Sequence, residues 1–271
     1  MRGKHIIVAV SAGIAAYKAI EVVSRLRKKG AEVKVVMTRN ATNIASPLTF
    51  GEISGHPVAL DMFEQVHQWD VEHIALATWA DAYVVVPATA NVIGKIYAGI
   101  ADDMLTTTVM ACPCKKIVSP AMNHNMYHNS IVQENLEKLK RHGYEMIDPV
   151  CGMLANGDTG DGKLPSEETL VEYVLRELAF EKDMQGLKVL VTAGPTQEAI
   201  DPVRFISNHS TGKMGYAIAK NAMLRGAEVT LVTGRTALEP PMFVKTVPVT
   251  SAKDMYQAVM ECAKEQDIIV K

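Results

Sequence analysis

Apolar positions along the chain fall into two alternating rhythms. Continuous runs such as Ile6 to Val10, Ala31 to Met37, Ala82 to Val86 and Lys116 to Val118 end on small, hydroxylated or proline residues. Runs of this length, rich in β-branched residues, predict strands buried on both faces. Between them the spacing widens to three and four, which predicts helices over Ile14 to Lys29, closed by Gly30, and over Val92 to Ala98. Strand and helix in alternation predict an α/β fold, a doubly wound parallel sheet of Rossmann-like type.

The rhythm restarts late in the chain. A helix over Ser166 to Phe180 leads into the charged piece Glu181 to Gly186, followed by a strand at Leu187 to Val191, a helix at Gly215 to Arg225 and a strand at Gly226 to Val232. Gly226-Ala227-Glu228-Val229 echoes Gly30-Ala31-Glu32-Val33. Two occurrences describe two independent α/β openings and not a solenoid. The division expected is residues 1–180 as one domain, 181–186 as a linker and 187–271 as the first part of a second Rossmann-like domain. Because Ile268-Ile269-Val270 reads as a core strand without its neighbours, residues 186–271 are expected to bury too little apolar surface to order well.

Charge and composition narrow the partners. With 271 residues, 48% of them hydrophobic, and a net charge of -2, the chain offers no basic surface for nucleic acid. No run approaches the roughly 18 apolar residues of a membrane span, and the amino terminus has no signal-like apolar region, so a cytoplasmic protein is expected. The four cysteines, Cys112, Cys114, Cys151 and Cys262, lack the spacing of a zinc site or a disulfide framework, and no metal ligand is assigned.

The candidate chemistry sits where strands end. Ser11 and Gly13 precede a helix amino terminus, with Thr38 at the next strand end, an arrangement open to an anion. Pro87-Ala88-Thr89-Ala90-Asn91 and Ser119-Pro120-Ala121-Met122-Asn123-His124-Asn125-Met126 follow later strands. Small residues with hydroxyls and amides at successive strand ends suit a flat ligand lying across the sheet edge. Asp102 and Asp103 fit a helix cap ahead of Thr106. His73 shares a helical face with Leu76, Ala77 and Ala80, which fits a packing histidine as well as a functional one.

Taken together, Ser11 to Lys18, His73, Pro87 to Asn91 and Pro120 to Met126 resemble the flavin-dependent cysteine decarboxylases. The likeness runs along the whole chain and is nearest the bifunctional phosphopantothenoylcysteine decarboxylase / phosphopantothenate–cysteine ligases of coenzyme A synthesis. It implies bound FMN, held by Ser11, Gly13, Ile14, Thr38, Ala88, Thr89, Thr106 and Met122. It implies that FMN oxidises the cysteinyl thiol of 4'-phosphopantothenoylcysteine, that CO2 leaves the resulting thioaldehyde, and that the enethiolate is protonated and reduced to 4'-phosphopantetheine. His73 would assist the oxidation, Asn123 would hold the substrate carboxylate, and trimers or dodecamers would form, since family members place that histidine across a subunit contact.

One position departs from the family. Leu154 to Leu164 resembles a flap that covers the substrate, and Asn156 stands where the family has the cysteine that protonates the enethiolate. A carboxamide has no dissociable proton near neutral pH and cannot serve as that acid, so impaired turnover is expected. Asp201 to Gly215 resembles the ligase half, which uses CTP and Mg2+; the resemblance implies that Asn208 contacts the acyl intermediate and that Ser210, Gly212 and Met214 form the nucleotide site. With that half incomplete, no ligase turnover is expected. A flavin-dependent peptidyl-cysteine decarboxylase and a non-catalytic flavin-binding interaction protein are the alternative readings.

Overall fold

The structure is a computed structural model that describes residues 1–62, 71–153 and 157–271. The chain divides into two compact units, Met1–Leu178 and Ala179–Lys271. Among the described residues no helix is long and apolar enough to cross a membrane.

In the first unit β1 (His5–Val10), β2 (Glu32–Met37), β3 (Ala82–Ala88), β4 (Lys115–Pro120) and β5 (Glu145–Met146) form one sheet in the order β2-β1-β3-β4-β5. All its pairings are parallel. Helices α1 (Lys18–Lys28), α2 (Pro47–Ser54), α3 (Glu72–Trp79), α4 (Ala90–Ala98), α5 (Met104–Ala111), α6 (His124–Tyr127), α7 (Ser130–Arg141) and α8 (Glu167–Leu178) complete it, with a β6 (Val150–Met153) and β7 (Thr159–Lys163) hairpin. The continuous apolar strands have the predicted cause. Ile7, Ala9, Tyr83, Val85 and Val118 join one core with Leu76, Ile93, Leu105, Val109 and Leu139. Ile6, Val8 and Val10, which alternate with Ile7 and Ala9, are equally buried, as are Val22, Val23 and Leu26 of α1 and Leu170 and Val174 of α8.

The strand order decides where a ligand can sit. The chain leaves β1 toward β2 on one side and returns past β1 to β3 on the other, so the connections diverge between β1 and β3. A crevice opens outside the carboxyl ends of parallel strands at such a point. The predicted helix from Ile14 begins as a 3-10 turn, Ile14–Tyr17, before α1, which brings small residues close to the strand ends.

In the second unit β8 (Lys188–Ala193), β11 (Glu228–Thr233), β12 (Lys245–Pro248) and β13 (Ile268–Val270) make a parallel sheet in the order β12-β11-β8-β13. An antiparallel pair, β9 (Gln197–Ala199) and β10 (Phe205–Ser207), and helices α9 (Lys213–Leu224) and α10 (Ala252–Cys262) accompany it. The expectation of weak order over residues 186–271 is corrected here. Ile268 to Val270 pair with Val189 to Val191, and Leu190, Val191, Leu231 and Val232 are fully buried. The central strand is thus paired on both sides, which satisfies its backbone groups. The sequence echo has a local cause as well: Gly30 and Gly226 both leave their helices at positive φ, 89° and 96°, before a strand begins.

Candidate active site

A cavity of about 660 Å³ lies at the carboxyl edge of the first sheet, lined by Gly13, Ile14, Tyr17, Lys18, Thr89 and Met122, with Asn123, Met153 and Lys163 among its other walls. Among the described residues its lining holds two lysines, Lys18, which pairs with Glu167 outside the lining at 3.4 Å, and Lys163.

Ser11 fastens the two strands that meet there. It is fully buried; its hydroxyl donates to Pro87 O at 2.7 Å and accepts from Thr89 N at 3.0 Å. Its side chain is committed to joining β1 and β3, and through Thr89 it sets the loop that faces the cavity. Ala88 is buried in β3, where its carbonyl accepts from Ala121 N at 3.0 Å. Thr38 differs from both. Its side chain is buried at the end of β2, yet Oγ1 has no hydrogen-bond partner. A buried hydroxyl without a partner costs free energy unless a ligand supplies one, and this one stands next to β1, whose Val10 O takes the Thr38 N–H at 3.0 Å. Ser119 Oγ, at the end of β4, is a second orphan that the sequence reading did not assign.

Asn123 caps the short α6, its side-chain oxygen accepting from Asn125 N at 2.9 Å. That bond orients the amide: the oxygen is engaged, and the NH2 remains as a donor at the cavity wall. Met122 and Gly162 are joined across the same wall by Met122 N–H donating to Gly162 O at 3.0 Å.

The structure therefore brings together Gly13, Ile14, Thr89, Met122 and Asn123 around one cavity. Thr106 is buried in a capping box, where its N–H and hydroxyl both donate to Asp103 Oδ1 at 2.8 Å. Asp102, read as a possible cap, instead pairs with Lys95 at 2.8 Å. His73 is half-buried on α3, outside the lining of its own chain's cavity. Asn156 lies outside the described residues. The sequence reading missed Lys18 and Lys163 as cavity cations; their signal was position, the first residue of a helix after a glycine turn and the last of a glycine-rich hairpin.

In the second unit a smaller cavity of about 310 Å³ is lined by Thr192, Gly194, Ser210, Gly212, Lys213 and Met214 among others. Ser210, Gly212 and Met214 thus share a site, while Asn208, outside the lining, accepts from Ser210 N at 2.9 Å and holds the turn beside it. A Cβ at Gly215 would lie 2.7 Å from Thr192 O, so glycine there lets α9 start against the end of β8.

A five-stranded parallel sheet with a crevice at its switch point and small polar loops on three strand ends defines a class: α/β proteins of the doubly wound type that bind a ligand across the sheet edge. Residues 1–179 match the family described as Flavoprotein, and residues 184–271 the DNA/pantothenate metabolism flavoprotein C-terminal domain. The chain belongs to this flavoprotein family, among the bifunctional coenzyme A biosynthesis proteins. It is 46% identical over 271 residues to the coenzyme A biosynthesis bifunctional protein CoaBC of Vibrio vulnificus, covering 100% of this chain and 67% of that one. The CoaBC of Bacillus subtilis is 45% identical over 274 residues, covering 100% and 68%. A PPC decarboxylase, solved as a cysteine-to-serine variant complexed with pantothenoylaminoethenethiol, aligns with a TM-score of 0.58 and 29% identity over 64% of this chain and 97% of its own. The FMN-binding protein AtHal3 aligns with a TM-score of 0.56 and 29% identity over 64% and 95%.

Proposed function

We propose that the first unit binds FMN and decarboxylates 4'-phosphopantothenoylcysteine in coenzyme A biosynthesis. One observation carries the reading: a cavity of about 660 Å³ at the β1/β3 switch point, walled by the small strand-end residues Gly13 and Thr89, that has the Asn123 amide at its wall. The orphaned Thr38 hydroxyl supports a resident cofactor beside it, since a ligand oxygen would satisfy it. When bound, FMN supplies the two-electron acceptor that turns the cysteinyl sulfur carbon into an electron sink for CO2 loss.

The chain's own residues do the rest. Gly13, Ile14 and Thr89 would hold the flavin, and Ser11 keeps β1 and β3 at fixed separation. Asn123, with its oxygen engaged by Asn125 N–H, offers its NH2 to the substrate carboxylate and so holds the bond that breaks. Met122 and Met153 contribute apolar wall to the cavity. His73 assists oxidation from a neighbouring copy in a trimer or dodecamer; its half-buried place on α3, outside its own chain's cavity, fits a site completed between copies. Asn156 supplies no proton, so the final protonation to 4'-phosphopantetheine is slow.

The second unit is the corresponding part of a phosphopantothenate–cysteine ligase that takes CTP and Mg2+. Ser210, Gly212 and Met214 line its nucleotide site, and Asn208 holds the turn between them and the acyl intermediate.

The test is anaerobic absorption spectroscopy of the purified protein with 4'-phosphopantothenoylcysteine. Bleaching of oxidised-flavin bands with CO2 release, and little 4'-phosphopantetheine, is expected. A protein that cannot be loaded with FMN overturns the reading. Flavin and substrate binding without CO2 release would instead favour a non-catalytic interaction protein.

A further inference from the structure

We infer that His124, His128 and Asp161 form a divalent transition-metal site, of the kind that takes Zn2+, and that it fastens the β6–β7 hairpin to the turn carrying Asn123.

One donor atom from each residue lies within 4.8 Å of the other two. His128 Nε2 stands 3.0 Å from Asp161 Oδ2. The Asp161 N–H donates to His124 Nδ1 at 3.2 Å, and the two imidazole rings lie 4.4 Å apart, tilted by 59°. His124 and His128 are four residues apart on one helical turn, closed by His128 N–H donating to His124 O at 3.0 Å, so both rings project from one side. The backbone makes room for the cluster: a Cβ at residue 160 would lie 2.9 Å from His124 Nδ1, and the chain has glycine there.

An ordinary surface ion pair would need only His128 and Asp161. The third group converges as well: the Asp161 backbone N–H donates to His124 Nδ1, which brings that imidazole against residue 161. Two imidazole nitrogens and a carboxylate oxygen suit Zn2+, Co2+ or Ni2+ and not Mg2+ or Ca2+, which prefer all-oxygen shells. Metal–nitrogen distances of about 2.0–2.1 Å require the donors to close up, a small side-chain rotation at half-exposed residues. The metal takes the Nδ1 lone pair in exchange for the Asp161 N–H bond; any imidazole that was protonated releases its proton.

The consequence is mechanical. Met153, Gly162 and Lys163 of this hairpin, Met122 and Asn123 just before α6, and Met126 within it line the same cavity. A metal bridging residues 124, 128 and 161 therefore fixes one wall of that cavity against another. The site stands whether or not the cavity holds flavin, and its readout is independent of turnover.

Isothermal titration of the purified full chain with Zn2+, alongside hydrogen exchange of residues 159–163, tests it. Binding of one Zn2+ per chain is expected, with slowed exchange in that strand. Affinity should fall about tenfold or more in Asp161→Asn, an isosteric change, and vanish in His124→Ala/His128→Ala. The Cys112→Ser/Cys114→Ser variant should bind as the unchanged chain does. Absence of saturable Zn2+ binding, binding undiminished in the double histidine variant, or binding lost with the cysteines would overturn the inference.

Discussion

Met122 and Gly162 meet so closely that only a residue without a side chain fits: a Cβ at Gly162 would stand 2.2 Å from Met122 O, and φ there is +119°. The same pair is joined by Met122 N–H donating to Gly162 O at 3.0 Å. At this pair the hairpin and the strand-end loop touch through backbone. Gly162→Ala must move one of them, and both line the cavity. The variant should lose about 2–4 kcal/mol of stability from clash and strained φ together, read as a lowered denaturant midpoint. It should also retain less flavin through gel filtration.

Thr38 gives a prediction whose sign depends on the ligand. In the apoprotein its Oγ1 is buried without a partner, and Thr38→Val removes that unsatisfied group at nearly constant volume. Apoprotein stability should hold or rise by up to about 1 kcal/mol. On the proposed reading, in which FMN supplies the missing partner, FMN affinity should fall about tenfold or more. Thermal unfolding without FMN and fluorescence titration with it read the two effects separately. Equal losses in both would mean that the hydroxyl serves the fold alone.

The fold was legible because its strands are buried on both faces. Runs such as Ile6 to Val10 carry no alternation, and that pattern belongs to parallel sheets covered by helices. The cavity floor was legible for a related reason: at a switch point the residues after strands are the ligand loops, so Gly13, Thr89 and Asn123 followed from strand ends and family motifs together. What escaped was the competition for side-chain hydrogen bonds. Thr106 has the residue type and the neighbourhood of a cofactor ligand, yet its hydroxyl is committed to Asp103 in a capping box. Ser11 likewise serves the seam between strands. Sequence spacing records which donors are near an edge, and only packing decides which of them remain free. The cluster of His124, His128 and Asp161 was hidden for another reason, since its third member comes from a strand far along the chain.

Cys114 provides a pH test away from the cavity. The Cys112 thiol hydrogen-bonds to it and lowers its ionisation below the ordinary thiol range, with Lys116 adding to the effect against burial. Cys112, raised by that same hydrogen bond and by burial, stays a thiol. The thiolate is the reactive form, so the alkylation rate of Cys114 should reach half its plateau at a lower pH than a free cysteine does. Cys112→Ala removes the donor and should move that midpoint upward. Peptide mapping after iodoacetamide treatment across a pH series measures both, and an unchanged midpoint in the variant would show that the neighbouring thiol contributes nothing.

In the proposed reaction, Asn156 is the position at which turnover is held back. In the proposed reaction His73, the Asn123 amide and the flavin serve oxidation and loss of CO2, and neither step needs residue 156 as an acid. Protonation of the enethiolate does need an acid near its carbon, and a carboxamide holds its protons too tightly to act as one. Asn156→Cys supplies a thiol whose proton is exchangeable near neutral pH. General-acid catalysis contributes about 10²–10⁴-fold, so in a single turnover, with enzyme in excess over substrate, the variant should form 4'-phosphopantetheine at least a hundredfold faster while the rate of CO2 release changes little. The two products are followed in the same anaerobic reaction, CO2 by a coupled assay and 4'-phosphopantetheine by mass spectrometry. If both rise together, the asparagine also limits an earlier step. If neither rises, the proton comes from elsewhere in the site, and the departure at residue 156 is not what holds the reaction back.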